Sequence, residues 1–318
     1  MNMPWRRNVS PLPATGALNL LQLPGQRTLA YGEWGDPAGA PVFYAHGAPG
    51  SRLEGAFFHD AACAAGLRWI VIDRPGMGAS SLADNYTLLD YPRDVSAVAD
   101  ALGIDQFAVA GWSSGGAYAL TCAFEIPKRI AFVAVMASYT NFGEMSAAKD
   151  LLWRNEQRGP KIAEVSTGLF RTLLSLLRLT ERWSPKLYLK FIESSSTEQD
   201  LALLRDADIL ERFMDNQHEA FNQGVQGVML DLLAQYRHWG FALSEIRLPT
   251  HIYQGVKDRF VPWRFAQHLA DNLPLADLRM ITDAGHMFPL EADFQRELMS
   301  AIRRHLLMSE ASDARKQA

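Results

Sequence analysis

Short apolar segments alternate with segments of helical pattern along most of this chain, and this alternation limits the fold more than any other feature. Runs such as PVFYA at 41–45, RWIVI at 68–72 and QFAVA at 106–110 each lead into a turn and then a helical stretch. The scheme returns in THIYQ at 250–254 and DLRMI at 277–281. Uniformly apolar strands separated by helices are typical of a parallel sheet covered on both faces. We therefore predict an α/β fold with a mostly parallel central sheet.

The first strands depart from this parallel scheme. Residues 18–23 (LNLLQL) and 27–34 (RTLAYGEW) flank the turn-forming tripeptide PGQ, so they predict an antiparallel hairpin. Two later segments, 51–65 and 87–104, have the spacing and length of helices. They are expected to cover the sheet between its first core strands.

The strand pattern disappears between about residues 141 and 240. Helical stripes replace it, at Phe170, Leu173, Leu174 and Leu177 and at Leu203, Ala207, Leu210 and Met214. We predict that 141–240 is a helical cap inserted into a discontinuous core, which consists of 1–140 and 241–318. The polar ends, 1–16 and 309–318, are expected to be flexible.

Composition excludes several classes of protein. The 318 residues have a formal net charge of -4 and lack the blocks of Lys and Arg that nucleic-acid binders use. Two cysteines, Cys63 and Cys122, cannot form a disulfide framework. No apolar run approaches the roughly 18 residues of a membrane span, and the first residues lack the apolar stretch of a signal peptide. We expect a soluble cytoplasmic protein that acts on a small molecule. The sequence does not decide whether it forms a homodimer.

The segment AVAGWSSGGAYAL (108–120) contains a serine in the pattern G-x-S-x-G. It follows a predicted buried strand and begins a predicted helix, which is the context of a nucleophile elbow. In such a turn Ser113 adopts a strained backbone conformation, and the glycines at 111 and 115 prevent a clash. The alternative is an ordinary serine in a tight turn, which would need no partner residues elsewhere in the chain.

A serine hydroxyl becomes a good nucleophile only when a base takes its proton and a third group orients that base. Of the eight histidines, His286 directly follows the last predicted strand, where a loop returns to the carboxyl edge of the sheet. It is the predicted base. Asp258 follows the preceding strand at the same edge and is the predicted acid. Asp283 lies only three residues before His286 and is expected to shape its loop.

The loop HGAPGSR (46–52) supplies a fourth element after the strand PVFYA. The oxyanion that forms during attack on a carbonyl needs two preorganised hydrogen-bond donors. The amide of Ser114, directly after the nucleophile, is the first. Pro49 has no N–H, so the amide of Ala48 is the predicted second donor. His46 precedes the loop and is expected to brace its turn through hydrogen bonds.

The order Ser113, Asp258, His286, with HGAPG upstream, resembles the α/β-hydrolase superfamily, and in particular its serine-nucleophile members with an HGxPG loop. The segment DRPGMGAS is similar to a turn that many members carry after a core strand. The resemblance implies a central sheet flanked by helices, with a large helical cap inserted after the sixth core strand. It also implies that Asp73 and Arg74 support the floor of the site. Haloalkane dehalogenases and epoxide hydrolases are disfavoured, since they have an aspartate at the serine position.

The resemblance implies acyl transfer to water through an acyl-enzyme on Ser113, with His286 moving the proton. This chemistry requires no cofactor and no metal. Four apolar chain neighbours of the catalytic residues predict an apolar acyl pocket under the cap: Trp112, Phe260, Met287 and Phe288. We therefore predict a carboxylesterase that cleaves carboxylic esters or lactones.

Alternative functions remain at this stage. A C–C bond hydrolase or a peptidase similar to the proline iminopeptidases can use the same three residues. The peptidase needs a cap carboxylate that faces the pocket and holds an α-amino group, and the candidates are Glu144, Glu156 and Glu211. A binding protein on a hydrolase scaffold is a different class, although such proteins usually lack one of the three residues. Lipase action at a membrane surface requires cap leucines that face lipid.

Overall fold

The computed structural model describes the backbone of residues 16–317 and the side chains of residues 16–308. Its centre is one sheet of eight strands. In chain order these are β1 (Asn19–Gln22), β2 (Thr28–Gly35), β3 (Ala40–Ala45), β4 (Leu67–Ile72), β5 (Phe107–Trp112), β6 (Ile130–Met136), β7 (Thr250–Gly255) and β8 (Ala276–Ile281).

The strand order across the sheet is β1-β2-β4-β3-β5-β6-β7-β8. β2 pairs antiparallel with both β1 and β4, and the remaining neighbours pair parallel. The predicted hairpin is therefore confirmed, and so is the mostly parallel sheet. Because parallel strands point the same way, β3, β5, β7 and β8 all end at one edge.

Twelve α-helices lie within residues 16–317. They are α1 (His59–Ala65), α2 (Tyr91–Ala101), α3 (Ser114–Glu125), α4 (Ala148–Leu151), α5 (Arg158–Val165), α6 (Thr167–Trp183), α7 (Pro185–Glu193), α8 (Glu198–Leu204), α9 (Ala207–Ala220), α10 (Gln226–Gln235), α11 (Trp263–Asn272) and α12 (Ala292–Gln317). α1 and α12 pack against each other on one face of the sheet, and α2 packs against α3 on the other.

Apolar residues cover both faces of the sheet. β5 is buried at all six positions: Val109 belongs to one hydrophobic cluster, whereas Ala108 and Ala110 belong to the other. This explains why the strands read as continuous apolar runs rather than as an alternating pattern.

The segment 51–65 differs from its prediction as one helix. Residues Arg52–Phe58 form a 3-10 helix, and only His59–Ala65 are α-helical. Gly55 interrupts the helix-forming sequence and lies so close to Trp34 that a Cβ atom would be 2.2 Å from the indole Cδ1. Glycine is a poor α-helix former, and this contact holds the segment tightly against the sheet.

Seven helices, α4 to α10, occupy the interval between β6 and β7, so the insertion after the sixth strand is confirmed. The stripe predicted around Phe170 and Leu174 forms the buried side of α6. The stripe predicted from Leu203 to Met214 is not one helix, because it is divided between α8 and α9. The Asp206 side chain accepts hydrogen bonds from the amides of Asp208 and Ile209 and so begins a new helix.

The insertion is joined to the sheet by buried polar contacts. The Asn216 side chain in α9 accepts hydrogen bonds from the amide and the hydroxyl of Ser51, both at 2.8 Å. Asp231 in α10 forms an ion pair with Arg74 after β4. We retain 141–240 as the proposed cap, with 1–140 and 241–318 as the proposed core.

The structure describes the two predicted flexible ends of the chain to different extents. The expected flexible segment 1–16 falls almost wholly outside the described residues. The other, 309–318, continues α12 as helical backbone up to Gln317. Among residues 16–317, no helix combines the length and the apolar character that crossing a bilayer requires.

Candidate active site

Ser113 occupies the sharp turn between β5 and α3. Its backbone has φ 56° and ψ -125°, a region that residues with a side chain rarely adopt. Two glycines allow this turn. A Cβ atom on Gly115 would lie 1.9 Å from the Ala45 carbonyl oxygen, and one on Gly111 would lie 2.3 Å from the Gly115 carbonyl oxygen. The strand–serine–helix context predicted from G-x-S-x-G is therefore present.

His286 and Asp258 meet at the same edge of the sheet. The imidazole Nδ1 of His286 is 2.8 Å from Asp258 Oδ2. The other carboxylate oxygen, Oδ1, accepts hydrogen bonds from the amides of Phe260 and Val261 at 2.8 and 2.9 Å. These bonds hold the Asp258 carboxylate in a fixed orientation, so the histidine it contacts is also fixed.

The environment of His286 favours its protonated form. Burial lowers the pKa of the imidazole, but the charge and hydrogen bond of Asp258 outweigh burial, and Asp200 and Glu156 add to the effect. The resulting pKa of His286 is raised above the usual 6.5. The ring also lies beside Trp112, whose indole Nε1 donates to the His286 carbonyl at 3.0 Å.

Ser113 and His286 line one cavity of about 140 Å³. Within residues 16–308, no hydrogen bond joins the Ser113 hydroxyl to the imidazole. Contacts between catalytic groups are often long without a ligand and tighten when substrate binds. The structure therefore places the predicted nucleophile and base at a common cavity.

The two predicted oxyanion donors belong to segments next to Ser113: the loop after β3, which lines the same cavity, and the start of α3. Ala48 lines the cavity, and Ser114 is fully buried as the first residue of α3. The first amides of a helix have no partner inside the helix. Among the described residues, neither the Ala48 amide nor the Ser114 amide donates a hydrogen bond to another protein group. Both N–H groups are therefore available to a ligand oxygen.

His46 makes the contacts expected of a brace. Its Nε2 is 3.3 Å from the Arg74 amide, which donates to it, and its Nδ1 is 2.7 Å from the Gly47 carbonyl oxygen. Burial first, and then the charge of Arg74, hold the pKa of His46 well below its usual value. A neutral ring that accepts at Nε2 carries its hydrogen on Nδ1 and donates it to Gly47.

Arg74 fixes the same loop from the opposite side. Its guanidinium donates to the carbonyl oxygens of His46 and Gly47 and to the Ser114 hydroxyl oxygen, the latter two at 2.9 and 3.1 Å. Asp231 in α10 balances the charge, with Oδ1 2.6 Å from Arg74 Nε. The resemblance implied a supporting role for Arg74, and these contacts show that its ion-pair partner comes from the insertion.

A buried carboxylate supports the loop from a third direction. Glu54 Oε1 accepts hydrogen bonds from the Gly47 amide at 2.9 Å and from the Tyr44 hydroxyl at 2.7 Å. The Asn216 amide donates to the other oxygen at 3.2 Å. Burial raises the pKa of Glu54, while these bonds oppose the increase. The sequence analysis did not identify Glu54, because no motif distinguishes it.

The cavity wall is mainly apolar. Three predicted pocket residues, Trp112, Phe260 and Met287, line it. Phe288 does not: its ring packs in an edge-to-face contact with Phe294, 4.8 Å between centroids, inside the core. The reason is the 3-10 helix Phe288–Leu290, which turns the side chain away from the cavity. Seven further apolar or aromatic side chains from the loop after β6, the 3-10 helix and the insertion also line it: Phe57, Tyr139, Leu177, Tyr188, Phe191, Ile192 and Phe213.

One of the three candidate cap carboxylates reaches the cavity. Glu156 lines it, and its Oε1 accepts a hydrogen bond from the Ser195 hydroxyl at 2.8 Å. Burial raises the pKa of Glu156. Glu144 instead accepts from the Leu243 amide at 3.0 Å, and Glu211 does not line the cavity.

Asp200 is a second residue that sequence reasoning missed. Its Oδ1 accepts a hydrogen bond from the Met287 amide at 2.7 Å, directly after His286. A Cβ atom on Gly285 would lie 2.3 Å from Asp200 Oδ2, so only glycine fits there. The pattern T-x-x-D at Thr197 predicts a helix start, which is present, but it contains no sign of this long-range contact.

Comparisons with known proteins agree with this architecture. Residues 40–293 match the alpha/beta hydrolase fold family. A 2-hydroxy-6-oxononadienedioate/2-hydroxy-6-oxononatrienedioate hydrolase from Burkholderia vietnamiensis is 28% identical over 81% of this chain and 85% of its own length. A proline iminopeptidase from Neisseria gonorrhoeae is 26% identical over 84% of this chain and 89% of its own length.

Solved structures show the same fold. An alpha/beta hydrolase fold protein from Nakamurella multipartita superimposes with a TM-score of 0.67 and 23% identity, over 90% of this chain and 99% of that one. The family match covers most of the chain. This chain belongs to the α/β-hydrolase family and is a hydrolase.

Proposed function

We propose that this hydrolase cleaves carboxylic esters or lactones, with Ser113 as nucleophile, His286 as general base and Asp258 as the group that orients it. One observation carries the proposal: a serine in a strained strand–helix turn shares a cavity with a histidine that an aspartate holds at 2.8 Å. A solvent-exposed serine in an ordinary turn would have neither partner.

The proposed reaction begins when His286 takes the Ser113 proton as the serine oxygen attacks the substrate carbonyl. Asp258 keeps the imidazole in the correct tautomer and stabilises the imidazolium. The protonated ring then gives its proton to the leaving alcohol, which leaves an acyl group on Ser113. His286 next activates a water that attacks this acyl group, and the acid is released.

Two amides are proposed to stabilise the negative oxygen in each step. The Ala48 and Ser114 N–H groups have no other protein partner in the described residues, and Ala48 lines the same cavity as Ser113. Removal of one such donor costs about 3 kcal/mol of transition-state stabilisation. Arg74 accounts for their rigidity, because it bonds the Gly47 carbonyl of the Gly47–Ala48 peptide and the Ser114 hydroxyl.

The cavity supports a compact apolar acyl group. An apolar cavity of about 150 Å³ in another protein holds benzene, and the cavity here is about 140 Å³ with a mainly apolar wall. We therefore propose short aliphatic or single-ring aromatic acyl groups as the preferred substrates. Long acyl chains would require the insertion to move.

Glu156 favours one second candidate, cleavage next to an amine. It is one of two carboxylates, with Glu54, at the wall of a mainly apolar cavity, where an ammonium group would be a favourable partner. The proline iminopeptidase relatives motivate the comparison. Matched p-nitrophenyl esters test it: β-alaninate and butyrate differ only by an ammonium in place of a methyl. A β-alaninate preference that Glu156→Gln removes and Glu193→Gln retains would support this candidate.

The relatives named for hydrolysis of an oxononadienedioate suggest a C–C bond hydrolase, but the cavity does not favour it. A dioate carries two carboxylates, and no Lys or Arg lines the cavity among the described residues. Glu54 and Glu156 line it instead. We therefore place ester cleavage ahead of this alternative.

The first experiment compares wild type with Ser113→Ala, using a fluorophosphonate probe and p-nitrophenyl esters of several chain lengths. Labelling of the wild type alone, with an optimum at short acyl chains, would support the proposal. Labelling without ester turnover would retain the nucleophile and turn attention to amine-bearing substrates. A folded wild type that neither labels nor turns over would favour a ligand-binding protein on this fold.

Asp258→Asn tests the third residue. The amide keeps the size of the carboxylate but stabilises neither the required tautomer nor the imidazolium, so turnover should fall by about four orders of magnitude. Asp283→Asn is the matched control, because Asp283 is exposed and pairs with Lys257 at 2.8 Å. Nearly full activity in Asp258→Asn would mean that another carboxylate orients His286.

A further inference from the structure

The surface formed by the outward sides of α6 and α7, here called the outer cap surface, exposes large apolar side chains. We propose that it docks on an anionic lipid surface. Trp183 is 74% exposed, and Leu169, Leu176, Leu187 and Phe191 are each more than a third exposed. Single exposed apolar residues are ordinary, but a contiguous group marks an interaction site.

Helical spacing brings the α6 residues together. Leu169, Leu176 and Trp183 are seven positions apart, so they lie along one side of the helix. Phe170 and Leu174 are buried on another side, where they pack into the insertion. α6 therefore has one apolar side for folding and a second apolar side that no described residue covers.

The outer cap surface is continuous with the candidate active site. Leu187 and Phe191 are four positions apart and share one side of α7. Phe191 is 41% exposed and also lines the cavity that contains Ser113. An apolar molecule that leaves a lipid layer at this surface would meet the cavity wall directly.

Basic residues occur on the same two helices, and some lie next to the apolar residues: the Arg182 guanidinium is 5.8 Å from the Trp183 ring, and Lys186 and Lys190 each precede an exposed apolar residue of α7. Between positions 167 and 193 the chain has five Lys or Arg and two Glu, although its overall net charge is negative. Arg171, Arg182, Lys186 and Lys190 are exposed, and within the part of the chain that the structure describes none of them forms an ion pair. Exposed Trp, Phe and Leu beside Lys and Arg are typical of helices that lie on anionic membranes.

The same charges disfavour a second copy of this chain as the occupant. A two-fold interface places a surface against itself. It would bring the basic side chains of one outer cap surface close to those of the other. Glu181 is buried and bonded to His218, so within 167–193 only Glu193 is an exposed carboxylate that can offset the five basic residues. An anionic lipid surface instead complements both the charge and the apolar residues.

Vesicle sedimentation of the full chain tests this inference. Wild type should sediment with vesicles that contain phosphatidylglycerol and phosphatidylcholine, and much less with phosphatidylcholine alone. Added salt should weaken the binding, because it screens charges at the vesicle surface. Equal binding to both vesicle types, or binding to neither, would overturn the inference.

Two tryptophans provide a matched pair of variants. Trp183 has the Arg182 guanidinium 5.8 Å from its ring, and Trp263 in α11 has the Arg264 guanidinium at 5.5 Å and is also exposed. Trp183→Ser should reduce the partition coefficient into anionic vesicles at least tenfold, whereas Trp263→Ser should change it less than twofold. Equal effects of the two substitutions would contradict docking through the outer cap surface.

A charge variant and an assembly measurement complete the test. Lys186→Glu with Lys190→Glu should reduce binding at least tenfold, while Lys128→Glu, at an exposed site on the core, should not. Sedimentation velocity without vesicles should show the same species for wild type and Trp183→Ser. If Trp183→Ser instead dissociates a dimer, the surface binds a second copy. Vesicle binding does not require turnover, so its result is independent of the proposed reaction.

Discussion

Ser113 shows how a single residue can be held in an unfavourable backbone conformation. Its φ of 56° costs an L-residue about 1 to 3 kcal/mol. The surrounding structure retains it, because β5 and residues 114–123 of α3 are buried and the glycines at 111 and 115 let the backbone pass close to its neighbours without a clash. The strain is consistent with a hydroxyl that must project into the cavity rather than into the helix.

Substitution at this residue separates strain from chemistry. Ser113→Gly and Ser113→Ala both remove the hydroxyl, and both should lose fluorophosphonate labelling. Glycine adopts positive φ at little cost, so the free energy of unfolding of the Gly variant should exceed that of the Ala variant by about 1 kcal/mol. Urea denaturation measures the difference. An Ala variant of equal or higher stability would show that the turn is unstrained.

The protonation of His286 should set the pH dependence of the proposed reaction. A base accepts a proton only when it is unprotonated, and the pKa of His286 is raised above 6.5 because Asp258, Asp200 and Glu156 outweigh its burial. The value of kcat/KM should therefore fall as the pH decreases through a midpoint above 6.5. A midpoint below 6.5 would contradict this account of the site.

Glu156→Gln should move that midpoint. Removal of one negative charge destabilises the imidazolium, so the pKa of His286 decreases and the acid limb shifts to lower pH. Asp283→Asn is the control, because Asp283 is nearer to His286 in sequence but exposed and paired with Lys257. Profiles of kcat/KM against pH for both variants and wild type measure this shift. A shift in Asp283→Asn but not in Glu156→Gln would contradict the prediction that Glu156 raises the pKa of His286.

Sequence reasoning at this scale was strongest where a residue type and a strand end coincide. Ser113, Asp258 and His286 each follow a predicted strand, and parallel strands bring such positions to one edge. Phe288 shows the limit: it neighbours the loop of His286, but a short 3-10 helix turns it into the core. Glu54 could not be predicted because no motif distinguishes it, and Asp200 could not because its partner, the Met287 amide, is distant in the chain.

At the scale of elements, the Arg74–Asp231 pair connects α10 to the loop after β3. Arg74 is 1% exposed, and its side chain contacts carbonyls of that loop as well as Asp231. The Tyr118 hydroxyl in α3 donates to Asp231 Oδ1 at 2.6 Å, the oxygen that also accepts from Arg74 Nε. Three elements therefore share one buried ionic network behind the candidate oxyanion site.

Asp231→Asn should be strongly destabilising. The amide has almost the same volume but no charge, so the buried guanidinium of Arg74 loses its compensation. Breaking a buried pair in this way costs about 3 to 5 kcal/mol. Asp100→Asn, which removes the exposed partner of Arg129, should cost less than about 1 kcal/mol. Denaturant unfolding of both variants compares them, and equal losses would mean that the buried pair contributes little.

Element boundaries were harder to predict than element types. The periodicity from Leu203 to Met214 continues smoothly across the break at Asp206, because two consecutive helices can keep similar spacing. Only the capping bonds of the Asp206 side chain reveal the boundary. In the same way, the apolar spacing of 51–65 does not distinguish a 3-10 helix from an α-helix, and the close contact of Gly55 with Trp34 does.

At the scale of the whole molecule, the insertion contributes to the site instead of only covering it. Asn216 bonds Ser51 and Glu54, Asp200 bonds the amide after His286, and Asp231 pairs with Arg74. The position of the insertion after the sixth strand was predictable, because the strand pattern stops there. Its polar contacts with the core were not, because each joins residues far apart in sequence.

These contacts predict that cap and core unfold together. Domains move independently unless their interface is large and hydrophobic. Here Tyr188 and Phe213 of the insertion belong to the same buried apolar cluster as Met287 of the core, and buried hydrogen bonds and an ion pair add to it. Calorimetry of the full chain should show one transition, with the calorimetric enthalpy equal to the van't Hoff enthalpy. Asn216→Ala removes the bonds to Ser51 and Glu54 and should lower Tm while a single transition remains. Two resolved transitions in the wild type would mean that 141–240 folds independently, and the site would then depend on a movable cap.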